Sequence, residues 1–180
     1  MLQITIPAGE FFDEKRGEFV SRKEQTLQLE HSLVSLRKWE SKWHKPFLSQ
    51  TDKTLEEVID YIKCMTITQN VKSETYELLT DKDLKAINEY IHDPMTATTF
   101  SQEPQGKGSK EIITAELVYY WMIEQGIPMA CEKWHLNTLL TLIRVCSVKR
   151  TPPKKMGKRD RMSQYASLNA ARRQKYNSRG

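Results

Sequence analysis

The sequence predicts a mainly α-helical (α+β) protein: a compact helical domain with a small N-terminal β-hairpin and a basic C-terminal tail. Three observations carry this prediction. Between residues 31 and 148, apolar residues recur at helical spacing, and helix start and stop signals bracket the runs. Before residue 30 the pattern alternates, as in a strand. After residue 148 charge dominates: residues 149–180 hold eleven Lys and Arg against one acid, Asp160. The chain as a whole carries +5, so residues 1–148 carry −5 and the pI near 9.0 belongs to the tail. The expected segments are therefore a hairpin region over 1–30 packed on the helices, a helical body over 31–148, and a basic, flexible tail over 149–180.

Residues 2–6 alternate apolar and polar, Asp13-Glu14-Lys15-Arg16-Gly17 reads as a turn, and 19–29 supplies a returning strand. A lone hairpin is marginal in water, so it needs the helices as support. Ser32 can cap a helix carrying Leu33, Leu36, Trp39 and Trp43, which Pro46 ends. Thr54-Leu55-Glu56-Glu57 matches a capping box, and Leu55, Val58, Ile59 and Ile62 then form one apolar face. A short element follows Ser73. Another helix begins near Thr80 or Asp81, carries Leu84, Ile87 and Ile91, and stops at Pro94.

Residues 94–110 hold Pro94, Pro104, Gly106 and Gly108 and read as a loop. Residues 112–123 are apolar on nearly every side, which predicts a buried central helix. Gly126 stops it, and Pro128 suits the first turn of a final helix running through Cys131, Trp134, Leu136, Leu139, Leu140, Ile143 and Cys146. Thr151-Pro152-Pro153 breaks that helix. The basic run 154–161 reads as extended or disordered when alone, and Met162, Tyr165, Leu168 and Ala171 hint at a short amphipathic helix.

No chemical motif emerges. Cys64, Cys131 and Cys146 have no paired spacing and read as buried, reduced thiols in a reducing compartment. The start lacks a signal peptide, and no apolar run approaches the ~18 residues of a membrane span, so a cytosolic, soluble protein without membrane contact is expected. His31, His44, His92 and His135 sit on separate elements. Cys131 and His135 share an i, i+4 spacing but lack the further ligands zinc requires, so no metal is expected. The loop Gln105-Gly106-Lys107-Gly108-Ser109-Lys110 lacks P-loop spacing and reads as a surface loop. Glu56-Glu57 complements a helix dipole rather than forming a catalytic pair. The expectation is a non-enzymatic chain with no catalytic residues and no cofactor.

Interaction is what remains. Trp39 and Trp43 lie one turn apart with Phe47 just beyond. They either pack in the core or, like many interface aromatics, meet a partner. The tail's lysines and arginines fit an acidic protein, this protein's own acidic body, or the phosphates of nucleic acid, although only Tyr165 and Tyr176 are interleaved for stacking. The partner-binding candidates are Trp39, Trp43 and Phe47 in the body and Arg172, Arg173 and Lys175 in the tail.

Several segments resemble a tailed-bacteriophage family, the tail assembly chaperones encoded just before the tape measure protein. They are Leu29-Glu30-His31-Ser32-Leu33, Lys38-Trp39-Glu40-Ser41-Lys42-Trp43-His44-Lys45-Pro46-Phe47, Asp93-Pro94-Met95-Thr96-Ala97-Thr98, Glu132-Lys133-Trp134-His135-Leu136-Asn137, and the ending from Leu168 through Ala171-Arg172-Arg173-Gln174-Lys175 to Gly180. The resemblance runs along most of the chain. It implies a non-virion assembly factor in the host cytoplasm that covers the tape measure protein while the tail tube polymerises. Contact with the tail tube protein and self-association are further expectations, and the resemblance supplies no catalytic residues. The alternatives are a structural component of the virion tail and a nucleic-acid-binding protein acting through the basic tail.

Overall fold

The alternating N-terminus folds as a long two-stranded ribbon. Strand β1 (Leu2–Ile6) pairs antiparallel with β4 (Gln25–Leu29), and β2 (Gly9–Asp13) with β3 (Glu18–Arg22). Both ladders keep one register. Beyond Ile6 and Gln25, the count sets Pro7 opposite Glu24 and Ala8 opposite Lys23, and then reaches Gly9 and Arg22, the first pair of the second ladder. The interruption falls where proline has no N–H to give a ladder. Gly17 closes the turn at φ +66, a left-handed conformation that glycine adopts without steric cost. The computed structural model describes residues 1–13, 17–100, 111–150 and 157–177, so the rest of that turn, the loop at 105–110 and the Pro152-Pro153 break lie outside the described residues.

The ribbon has the support it needs. Ile4, Ile6, Leu27 and Leu29 share one face and are buried. The chain leaving the second helix also runs along β4: Glu30 N–H donates to the Met65 carbonyl at 2.9 Å, and Ile67 N–H to the Gln28 carbonyl at 2.8 Å.

The body helices are α1 (Leu33–Trp43), α2 (Leu55–Met65), α3 (Asp81–His92), α4 (Ala115–Glu124) and α5 (Leu136–Arg150), with 3-10 turns at Ser73–Leu78 and Met129–Lys133. Ser32, Thr54 and Thr80 each accept the N–H three residues on, and the side chains of Ser35, Glu57 and Asp83 return a bond to the cap N–H. Each such cap stabilises its helix by about 1 kcal/mol. Leu33, Leu36 and Trp39 of α1 and Ile62 and Met65 of α2 join the ribbon's apolar face in one core with Val118, Met122, Leu136 and Leu139.

Two expectations are corrected. The apolar helix α4 is not central: it buries Ala115, Val118 and Met122 but leaves Tyr120 56% and Ile123 69% exposed. One face packs on α1, and Tyr120 and Ile123 lie away from it. The last body helix begins at Leu136 rather than near Pro128. Its N-terminus is fixed from a distance, because Leu136 N–H donates to the His31 carbonyl at 2.7 Å and Ser32 bridges His135. His135 Nδ1 then accepts Asn137 N–H at 3.3 Å, acting as a cap.

The chain divides into two units by contact, Met1–Ser147 and Val148–Gly180. The second holds α6 (Lys158–Tyr176), 19 residues long, so the run expected to be extended is helical from Lys158. Arg, Lys, Met, Gln, Leu and Ala are strong helix formers, which outweighs the charge repulsion. Asn177, at φ 47, terminates the helix by donating to the Arg173 and Gln174 carbonyls. No helix among the described residues is long and apolar enough to cross a membrane. Cys131 is buried and unpaired, and the other two free thiols, Cys64 and Cys146, are half-buried.

Candidate partner-binding surfaces

The aromatic run of α1 is split by the fold between core and surface. Trp39 is fully buried, its indole N–H donating to the Glu57 carbonyl at 2.9 Å and its ring meeting Phe47 edge-on at 5.0 Å. Phe47 is buried and stacks on Tyr61 at 3.8 Å. Both rings hold the body together, so a partner cannot reach Trp39 without opening it. Trp43 is half-buried. Its N–H donates to Asp60 Oδ2 at 2.9 Å, while Lys42 pairs with the other oxygen of that carboxylate. The ammonium groups of Lys42 and Lys45 lie 5.7 and 5.8 Å from the Trp43 ring, so the accessible part of the cluster is one indole flanked by two cations.

Two buried carboxylates fix this geometry. Glu57 accepts Lys45 Nζ at 2.6 Å and Thr54 N–H at 2.7 Å, and these bonds, the lysine first, hold its pKa below the usual carboxylate range. Glu40 accepts Phe47 N–H at 2.9 Å with one oxygen and Ala115 N–H at 2.7 Å with the other. Because Thr114 makes no side-chain cap, Glu40 serves as the acceptor at the start of α4. Burial raises its pKa, against the two backbone bonds.

A cavity of 720 Å³ lies beside this cluster, lined by Phe47, Val58, Tyr61 and Ile62 on one side and by Leu84, Ile87 and Ile91 of α3 on the other. At its wall His31 Nδ1 lies 2.6 Å from the Tyr61 hydroxyl. Burial, then the neighbouring His135 and His92, pull the His31 pKa down from 6.5 to about 3, so the ring is neutral. Burial likewise pushes the Tyr61 pKa up, so its hydroxyl is protonated beside the neutral ring. Lys53 is the cation on this wall. Its ammonium donates to the Gln50 carbonyl at 2.6 Å, lies 4.3 Å from the Phe47 ring centre, and has its pKa lowered by burial. A cavity of this size and lining accommodates apolar groups.

The Cys131 and His135 pair does not share a helix face, since Cys131 belongs to a 3-10 turn and His135 precedes α5. His135 Nε2–H donates to the Tyr90 carbonyl at 3.0 Å, and its Nδ1 is taken by Asn137. Among the described residues no group of three or more His, Cys, Asp or Glu is placed to hold a metal ion.

On α6, every described side chain from 161 to 177 is exposed. Met162, Tyr165 and Leu168 follow at three-residue steps. Arg172 falls one turn beyond Leu168 and one turn before Tyr176, so the stripe carries one guanidinium between Leu168 and Tyr176. Arg172, Arg173 and Lys175 thus occupy the last turns of an uncovered helix. The fold gathers Trp39, Trp43 and Phe47 together and places the three tail residues in the other unit.

Sequence reasoning missed the His31–Tyr61 cavity wall, the Glu40 bridge and the exposed face of α4. Only the last left a signal: residues 111–132 contain four glutamates and no lysine or arginine. No protein-family model, curated protein or solved structure matches the chain.

Proposed function

We propose that this protein is a non-enzymatic assembly chaperone of a tailed bacteriophage, acting in the host cytoplasm by binding the tape measure protein through α6. The observation that carries the reading is the exposed stripe of Met162, Tyr165, Leu168 and Tyr176, with Arg172 and Arg173 between the last two. A helix that exposes large apolar groups on a strongly charged background gains stability by docking in a groove of opposite charge. The half-buried Trp43 and the cavity beside Phe47 offer a second contact for apolar side chains of the same partner. The resemblance to tail assembly chaperones supports the tape measure protein as that partner, a long helical chain whose apolar stretches need cover until the tube closes around it.

Co-expression with the tape measure protein tests this. A stable complex that survives 0.5 M salt supports a docked apolar face. Binding to DNA or RNA that collapses over the same salt range assigns α6 to nucleic acid instead.

A further inference from the structure

The cavity between α2 and α3 has more definite preferences than its apolar lining alone. Its 720 Å³ fall within the range of about 300–1,000 Å³ typical of ligand sites. Phe47, Tyr61, Ile62 and Ile87 form buried walls, so the bulk of an occupant must be apolar. Two polar groups on the wall have unused capacity. Gln50 Oε1 is enclosed, yet no described residue donates a hydrogen bond to it. Turning the amide over brings no relief, because Nε2 already donates to the Asp52 carbonyl at 2.9 Å and to Glu57 Oε2 at 3.4 Å. An enclosed acceptor stays unfavourable until a donor reaches it. Lys53 is the second group. Its ammonium lies over the Phe47 ring and donates to the Gln50 carbonyl, but no described carboxylate forms an ion pair with it. Glu57 acts on Lys53 through its charge, while its own oxygens are engaged by Lys45, Thr54 and Gln50. His31 and Tyr61, by contrast, bond each other, and Asn137 donates to the Ile91 and Asp93 carbonyls.

We propose that this cavity receives an aromatic side chain with a ring N–H or O–H, a tryptophan or tyrosine beside a carboxylate, presented by the tape measure protein. The ring fills the apolar space, its N–H or O–H donates to Gln50 Oε1, and the carboxylate accepts from Lys53. The identity of the partner rests on the function proposed above, whereas the chemistry of the occupant rests on the cavity alone.

Indole-3-acetate carries the ring, the N–H and the carboxylate together. Heteronuclear NMR of the full chain reads its binding from the Gln50 side-chain amide and the backbone amides of Val58 and Ile87. Those resonances are expected to shift and to saturate. Naphthalene-1-acetate, which lacks the N–H, and 3-methylindole, which lacks the carboxylate, each bind about tenfold more weakly. Lys53→Met lowers the affinity for indole-3-acetate about tenfold and leaves that for 3-methylindole unchanged, a sign that the cavity itself is intact. Equal affinities for the three compounds, or no shift at Gln50, overturn the proposal, and neither result depends on the variant folding. Saturating indole-3-acetate is then expected to raise the Kd of the tape measure complex about tenfold. A complex that forms and ignores the compound overturns the tape measure protein as the source of the occupant. A chain that binds indole-3-acetate but no tape measure protein overturns that source and the proposed function together, and leaves the chemistry of the cavity standing.

Discussion

His31 makes folding pH-dependent in a direction that the structure fixes. In the unfolded chain its imidazole takes up a proton as pH falls through 6.5, whereas in the folded state the pKa is pulled down to about 3. Between those values the unfolded chain binds the extra proton, so stability is full above 6.5 and is lost as pH falls. From pH 7.5 to 5.5 the loss attributable to this one ring is about 1.4 kcal/mol. Urea titrations of the native protein and of His31→Gln at both pH values measure it. The variant is less stable at both, since Tyr61 loses its 2.6 Å hydrogen bond to the ring, but its midpoint is less sensitive to pH. For an m-value of about 2 kcal/mol/M, the native midpoint moves about 0.7 M further than the variant's over that interval. Other titrating groups, including Glu40 with its raised pKa, are common to both proteins and cancel in the difference. Equal midpoint shifts, or a His31 resonance that titrates near 6.5 in the folded protein, would refute the reasoning.

Three other perturbations are expected to act through single contacts. Glu40→Gln turns an NH2 toward either Phe47 N–H or Ala115 N–H and costs about 1–3 kcal/mol, read as a lower urea midpoint; an unchanged midpoint contradicts the bridge. Asp60→Ala removes the acceptor of the Trp43 indole and the partner of Lys42, costs about 1–3 kcal/mol, and shifts tryptophan emission to the red. His44, which ends α1 in the left-handed region at φ 53, is better served by glycine, so His44→Gly raises stability by about 0.5 kcal/mol in a thermal melt.

What the sequence made legible was local. Thr54 and Glu57 form their capping box, and the alternation around Ile4 and Leu27 becomes a paired ribbon, because both depend on neighbours a few residues away. The basic tail was equally plain, since eleven cations against one acid cannot be buried. The misreadings arose where the deciding partner is distant. Glu40 caps a helix 75 residues on, and His135, outside the usual set of capping residues, starts α5 under the hold of His31. Helix α4 looked central because apolar composition reports what a helix could bury, not how much surface is available to cover it. Trp39 and Trp43 have the same chemistry, and only the placement of α2 sends one into the core and leaves the other half-open.

The account stands most directly on whether α6 holds a tape measure protein. Co-expressed with it, the full-length chain is expected to co-elute in size exclusion as a complex with more than one copy per tape measure. Arg172→Glu with Arg173→Glu should release the tape measure while leaving the body's thermal unfolding unchanged. A chain that elutes alone, or a complex indifferent to both arginines, would contradict the account.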